Sequence, residues 1–259
     1  MVAPALSPTL ADKVASDRTL LIAYLMAGVD DSWLDCIDAV IDAGADAIEV
    51  GLPFSDPMID GSTIQEAGTR SLERGTTAQG ALTELARRDF SVPMVAMTYY
   101  NVIAHLGHER FAGMASEAGI SGAIIPDLSL EELNPWEAAA SVHGVDPVLL
   151  VAPSTPPERT AAICRRSRGF VYAVARMGVT GEQASLGDDL DAVVAKIRQH
   201  PSAPVCVGIG VSTADQAAQV ASVADGVIVG SALVRRLLEG TGPEGAARFI
   251  GELREGIDA

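Results

Sequence analysis

The segment from Asp30 to Phe54, "DDSWLDCIDAVIDAGADAIEVGLPF", contains a helix and a strand whose pairing sets the pattern for the whole chain. Trp33, Ile37, Val40 and Ile41 recur at helical spacing, which puts them on one apolar face. Gly44 closes that helix, and a short apolar run opens at Ala47. Alternation along the run places Ala47, Glu49 and Gly51 on one side and Ile48, Val50 and Leu52 on the other. A helix feeding a strand in this way is half of a βαβ unit, and the unit repeats.

Working outward, seven further β-branched runs have Gly or Pro at their ends: "LLIAYLMAG" from Leu20, "VPMVAMTYY" from Val92, "GAIIPD" from Gly122, "PVLLVAP" from Pro147, "GFVYAVAR" from Gly169, "PVCVGIGV" from Pro204 and "DGVIVGSA" from Asp225. Amphipathic segments separate them, among them "DDLDAVVAKIRQH" with Leu190, Val193, Val194 and Ile197 on one face. Residues 61–90 hold two helices, so one is additional, and "PEGAARFIGELREGI" forms a last helix on the outside. Eight alternating strand and helix units in 259 residues predict an α/β fold, a closed (β/α)8 TIM barrel with extra helices in a single domain over residues 1–259. An open doubly wound sheet is the alternative.

Composition narrows the partners. The formal net charge of −16 repels nucleic acid and anionic membrane, both of which require clustered Lys and Arg. The opening "MVAPALSPTL" lacks the basic start and apolar core of a signal peptide, and no apolar run approaches a membrane span. The chain is expected to be soluble and cytoplasmic. Cys36, Cys164 and Cys206 are odd in number and widely spaced, which predicts buried thiols rather than a disulfide framework or a zinc site.

In a barrel of this kind, the strand ends and the loops after them build the site. Glu49, a carboxyl among small and apolar neighbours, loses hydration; its ionised form is disfavoured and it becomes a candidate acid/base. A structural ion pair is the bland alternative for it. Asp60, before a Gly in the next loop, is weaker by itself because Asp in that setting is commonly a turn or cap residue. Late in the chain "RMGVTGE", "GIGVS" and "VGSALVRR" follow the last three strands, with helices expected to begin at Ser212 and Ser231. Glycine turns at helix N-termini offer backbone N–H groups to an anion, which fits a phosphorylated small molecule.

Absences narrow the chemistry further. Lys13 and Lys196 are the only lysines and both lie outside the strands, against a Schiff-base aldolase. His105, His108, His143 and His200 also fall outside the strands, and no metal site is expected. No Walker or Rossmann glycine motif is present. Cofactor-free acid/base chemistry on a phosphorylated substrate remains.

The motifs "DAGADAIEVGLPFSDP" followed by "DG", then "YYN", "PDL", "YAVARMGVTG", "GIGVS" and "VGSALV", in this order, resemble the tryptophan synthase α-subunit family over nearly the whole chain. The resemblance implies a carbon–carbon lyase that cleaves indole-3-glycerol phosphate to indole and glyceraldehyde 3-phosphate in tryptophan biosynthesis. It further implies an allosteric αββα heterotetramer, with no cofactor in this chain and pyridoxal phosphate in the β partner. By the same match Glu49 shuttles protons and Asp60 accepts a hydrogen bond from the indole N–H. Gly181, Gly210, Gly230 and Ser231 contact phosphate, while Tyr24, Met97, Tyr99, Asp127, Tyr172 and Ile209 shape the rest of the pocket. Tyr172 has a second reading, as an aromatic filling the barrel. Asp56 and Thr180, the latter in "GVTGEQASLG", resemble elements that communicate with the β subunit.

The chain departs from the family pattern in three places: "MIDGS" stands where "ADGP" is usual, "MAGVD" where "TAGDP" is usual, and "DLSLEE" where Pro residues usually follow "DL". Ile59 thereby replaces a small residue beside Asp60, and Ser62 replaces a proline that pre-orders the loop. Two rival functions stay open on the sequence: a stand-alone indole-3-glycerol phosphate lyase, and a non-catalytic regulatory subunit that binds phosphate ligands.

Overall fold

The computed structural model describes residues 4–174, 186–200, 203–208 and 210–259. Its strands are β1 (Leu20–Met26), β2 (Ala47–Gly51), β3 (Met94–Met97), β4 (Ile120–Ile124), β5 (Asp146–Val151), β6 (Val171–Val174), β7 (Val205–Gly208) and β8 (Gly226–Val229). All pair in parallel, each with the next, and β8 returns to β1 through Leu20 opposite Gly226. The sheet closes into an eight-stranded barrel, which excludes the open doubly wound sheet.

The described helices are α1 (Leu6–Ala15), α2 (Trp33–Asp42), α3 (Ser62–Glu73), α4 (Ala78–Leu85), α5 (Tyr100–Leu106), α6 (His108–Glu117) and α7 (Leu133–Val142). They continue with α8 (Pro157–Arg166), α9 (Leu186–Arg198), α10 (Ala214–Ala221), α11 (Ser231–Leu238) and α12 (Gly242–Asp258). The expected pair between β2 and β3 is present as α3 and α4. A second pair, α5 and α6, lies between β3 and β4. None of the described helices is long and apolar enough to cross a membrane.

Strand alternation divides the apolar residues into two layers. Leu20, Ile22, Ala47, Val95, Val148 and Ile228 face the barrel axis, whereas Leu21, Leu25, Ile48, Val50, Val227 and Val229 pack outward against the helices. The helix α1 supplies the floor. Its Leu6 and Leu10 are fully buried within the inner layer, each such burial being worth about 1.5–3 kcal/mol. Room for Leu6 comes from Gly122 and Gly169, where an added Cβ would overlap its side chain. Ser7 ties the helix to the start of β5, its N–H and hydroxyl donating to Asp146 Oδ2 at 3.0 and 2.6 Å.

The same end of the barrel carries a buried charge cluster. Asp46, with no solvent exposure, accepts from Lys13 Nζ at 2.8 Å, Arg18 Nε at 2.6 Å and Arg254 Nη1 at 3.3 Å. It also accepts the Leu21 N–H at 2.9 Å. One carboxylate thus joins α1, the entry to β1 and the last helix α12. The other lysine, Lys196, donates to the carbonyls of Pro153 and Thr155, both at 2.8 Å, on the loop after β5. Cys36, Cys164 and Cys206 are all free thiols and buried.

Candidate active site

Glu49 sits on β2 with Ala47 toward the axis below it and Tyr24 of β1 directly beside it in register. The side chain is 1% exposed. Its Oε1 is buried and has no hydrogen-bond partner among the described residues. Burial alone pushes its pKa from the ordinary 4.5 up to about 8, since a low-dielectric setting penalises the charged form. The ion-pair reading of Glu49 therefore finds no support: among the described residues no cation reaches it.

A cavity of about 250 Å³ opens over Glu49. Glu49, Asp60, Tyr24 and Tyr172 line it together with Gly210, Gly230 and Ser231. The carboxyl and the glycine turns, separated by more than 150 residues of sequence, thus share one space. Gly210 has a φ of +79°, a left-handed conformation in which glycine is favoured. Gly230 leads from β8 straight into α11, so Ser231, which lines the cavity, is the first residue of a helix whose first N–H groups have no partner within it. The expected start of α10 at Ser212 is corrected. That helix begins at Ala214 with Thr213 as cap, the Thr213 hydroxyl accepting from Gln216 N at 3.3 Å. Ser212 lies one residue further out, where its N–H and hydroxyl both donate to Gln216 Oε1.

Two further glycines shape the walls. A Cβ on Gly51 would overlap the Tyr24 hydroxyl, and one on Gly208 would overlap the Tyr172 hydroxyl. Each tyrosine therefore leans across the glycine of a neighbouring strand. Both phenols are pushed well above their usual range, first by burial and then by Asp60 and Glu49 around Tyr24 and by Glu49 near Tyr172; they stay neutral and able to donate. Tyr172 answers to both of its readings, packing on the inner core and lining the cavity.

Asp60 lies half-buried on the loop after β2. Burial raises its pKa, and a hydrogen bond from the Tyr99 hydroxyl opposes that rise. The same hydroxyl accepts the Ile59 N–H at 3.0 Å, while Gln65 Nε2 donates to the carbonyls of Asp60 at 2.9 Å and Pro57 at 3.2 Å. Phe54 stacks on Tyr99 with ring centroids 5.1 Å apart. These contacts fix the base of the loop. Its tip is apolar and bare, with Met58 90% and Ile59 55% exposed. More than half of Ile59 is thus open to solvent. Asp56 is exposed on the same loop and accepts from Ser55 Oγ at 2.5 Å.

Met97 lines the cavity from β3. Asp127 does not. It is exposed, and its Oδ1 accepts the Tyr100 N–H at 2.8 Å, which fixes the start of α5. Thr180, Gly181 and Ile209 lie outside the described residues. Sequence reasoning missed Gly61, Ile64 and Ile228, which complete the lining. The inward parity of β8, read from its pairing with β1, was the available signal for Ile228. Among the described residues no His, Cys, Asp or Glu group could hold a metal ion. His108 instead pairs its Nε2 with the Tyr100 hydroxyl at 2.9 Å, and His143 its Nε2 with Glu109 at 3.3 Å.

The chain matches the family model for the tryptophan synthase alpha chain over residues 10–252. It is 45% identical to the tryptophan synthase alpha chain of Streptomyces avermitilis over 260 aligned positions, covering 97% of this chain and 94% of that one. The corresponding chain of Streptomyces coelicolor is 42% identical, with 97% and 96% covered. Among solved structures, tryptophan synthase from M. tuberculosis in space group F222 superposes with a TM-score of 0.89 at 40% identity, covering 99% of both chains.

Proposed function

The chain belongs to the tryptophan synthase alpha chain family and is a lyase of tryptophan biosynthesis, and on that premise we propose how its own residues cleave indole-3-glycerol phosphate. The observation that carries the proposal is the shared cavity: a buried carboxyl that no cation among the described residues reaches faces the same space as the glycine turns after β7 and β8.

The substrate lies with its phosphate on the N–H groups around Gly210, Gly230 and Ser231, joined by Gly181, and with its indole between Tyr24, Met97 and Tyr172, an end that Ile209 also shapes and that Tyr99 backs from the adjoining space. Asp127 acts on this end indirectly, by anchoring α5 at Tyr100 next to Tyr99. Local backbone dipoles attract the anion even though the whole chain is acidic. Glu49 enters the cycle protonated and gives its proton to indole C3, which places positive charge on the ring nitrogen. Asp60 accepts a hydrogen bond from that N–H and stabilises the charge where it develops. The carboxylate of Glu49 then takes the proton from the hydroxyl on the adjacent carbon. The O–H electrons form the aldehyde C=O, the carbon–carbon bond breaks, and its electrons return to the ring to restore indole. Glu49 ends as it began, so one carboxyl completes the cycle and the reaction balances with protons alone.

The partner is a tryptophan synthase β subunit carrying pyridoxal phosphate, in an αββα complex in the cytoplasm. It meets the loop that carries Asp56 and the bare Met58 and Ile59, together with the segment that carries Thr180. Steady-state indole release by the purified chain, with and without an added β subunit, tests this reading. Slow turnover that rises on addition of the subunit is expected. Fast turnover with no response marks a stand-alone lyase, and no turnover in either condition marks a regulatory subunit. Asp60→Asn should lower kcat strongly with a smaller change in KM; a change confined to KM removes its transition-state role.

A further inference from the structure

A second, smaller cavity of about 20 Å³ adjoins the main one, and Tyr24, Asp60, Ile64 and Met97 line both. Behind this shared wall lie Thr98 and Tyr99, just past the end of β3. Thr98 is 2% exposed, and its hydroxyl has no hydrogen-bond partner among the described residues. A buried hydroxyl left in that condition is costly, and native folds rarely tolerate one. The proposed cleavage assigns it nothing.

The dimensions and the chemistry of this space agree. A cavity needs about 10–15 Å³ of such volume to hold one water, and the water needs at least two polar partners. Thr98, with a hydroxyl, and Asp60, with a carboxylate, both line the same cavity. Tyr99 is already engaged, its oxygen by the Ile59 N–H and its proton by Asp60. The Thr98 hydroxyl, which can rotate to donate or accept, has no partner among the described residues. Apart from Tyr24, whose hydroxyl lies against Gly51, the remaining neighbours, among them Leu52, Phe54 and Pro126, are apolar in their side chains and leave a bound water few other partners.

We propose that Thr98 is a positioning residue for the cleavage: its hydroxyl holds one ordered water that in turn donates to the Asp60 carboxylate and fixes its orientation toward the indole N–H. The inference rests on the reading of Asp60 given above. Thr98 touches no reacting atom and acts only through Asp60. Valine is the shape-matched substitution, since it exchanges the hydroxyl for a methyl group.

The test is steady-state indole release from indole-3-glycerol phosphate by the purified chain. Thr98→Val should lower kcat about tenfold, the size of one lost hydrogen bond to a charged group, with KM within about twofold. Thr98→Ser, which keeps the hydroxyl, should retain kcat within about twofold of the parent. In an Asp60→Asn background Thr98→Val should add less than about twofold, and a high-resolution crystal structure should show a water bonded to both side chains. An unchanged kcat in Thr98→Val, an equal loss in Thr98→Ser, the full tenfold loss in the Asn background, or no water at that position overturns the inference. Near-normal kcat in Asp60→Asn itself overturns the role of Asp60, a separate result that takes this inference with it.

Discussion

Asp46 and Glu49 are three positions apart and almost equally buried, at 0% and 1% exposure, yet the two ends of the barrel treat them in opposite ways. Asp46 closes the floor, where Lys13, Arg18, Arg254 and a backbone N–H satisfy it. Glu49 faces the open end, where the described residues bring it no cation and leave one oxygen unpartnered. A buried carboxylate must be paired or neutral. The floor takes the first course and gains rigidity; the cavity takes the second and gains a group able to exchange a proton near neutral pH. Stability and reactivity are thus assigned to opposite ends of the barrel.

The sharpest way to break this contrast is Glu49→Gln. Loss of general acid/base catalysis should lower kcat by about 10²–10⁴-fold, and near-normal indole formation would defeat the assignment. The same change should stabilise the fold, in a pH-dependent manner. Below about pH 4.5, Glu49 is protonated in both the native and the unfolded chain, and the parent carries no penalty. Between 4.5 and about 8 the unfolded chain ionises while the native side chain resists, so parental stability falls as pH rises through that window. At about 1.4 kcal/mol per pH unit, the Gln variant should exceed the parent by on the order of 5 kcal/mol above pH 8 and match it near pH 4. Denaturant midpoints at the two pH values check this. Since Glu49 enters the cycle protonated, parental kcat/KM should decline as pH rises through about 8.

Asp46→Asn should give the converse result. Removing one partner from a buried charge cluster costs about 3–5 kcal/mol. The midpoint of unfolding should therefore drop, while indole release per folded molecule holds within about twofold. A large loss of kcat without a loss of stability would erase the distinction between the two ends.

A smaller effect is expected from Gly51→Ala, whose Cβ would displace the Tyr24 hydroxyl. Overpacking of this kind costs about 1–3 kcal/mol and moves a cavity wall, so KM should rise along with the loss of stability. Smallest of all is Ser62→Pro. Ser62 is the first residue of α3, and Gly61 before it is extended at φ −70°, ψ 162°, the conformation that a following proline requires. The gain should be about 0.4–1 kcal/mol, read as a slightly higher unfolding midpoint.

The barrel was legible in the sequence because each strand carries its own signal, a short β-branched run with Gly or Pro at its ends. The inward side of Glu49 followed from simple alternation. The floor was not legible. In "ALSPTLADKVA" the proline at position 8 reads as a breaker, yet it stands in the first turn of α1, where the backbone N–H has no helical acceptor to lose. Asp46 was equally silent, since its three cations come from positions 13, 18 and 254 and only closure of the barrel assembles them. Asp127 shows the opposite failure: its motif is conspicuous, yet the carboxylate is engaged by Tyr100 N–H outside the cavity. Thr98 gave no signal at all, because an orphan hydroxyl exists only once its neighbours are known.

Leu6 and Leu10 turn the barrel into a vessel with one mouth. Substrate enters and both products depart across a single rim, and the loop after β2 that brings Asp60 to the cavity also carries the bare Met58 and Ile59. Any protein that seats itself there becomes the sole recipient of what is released, so the stopper at the floor decides the direction of delivery.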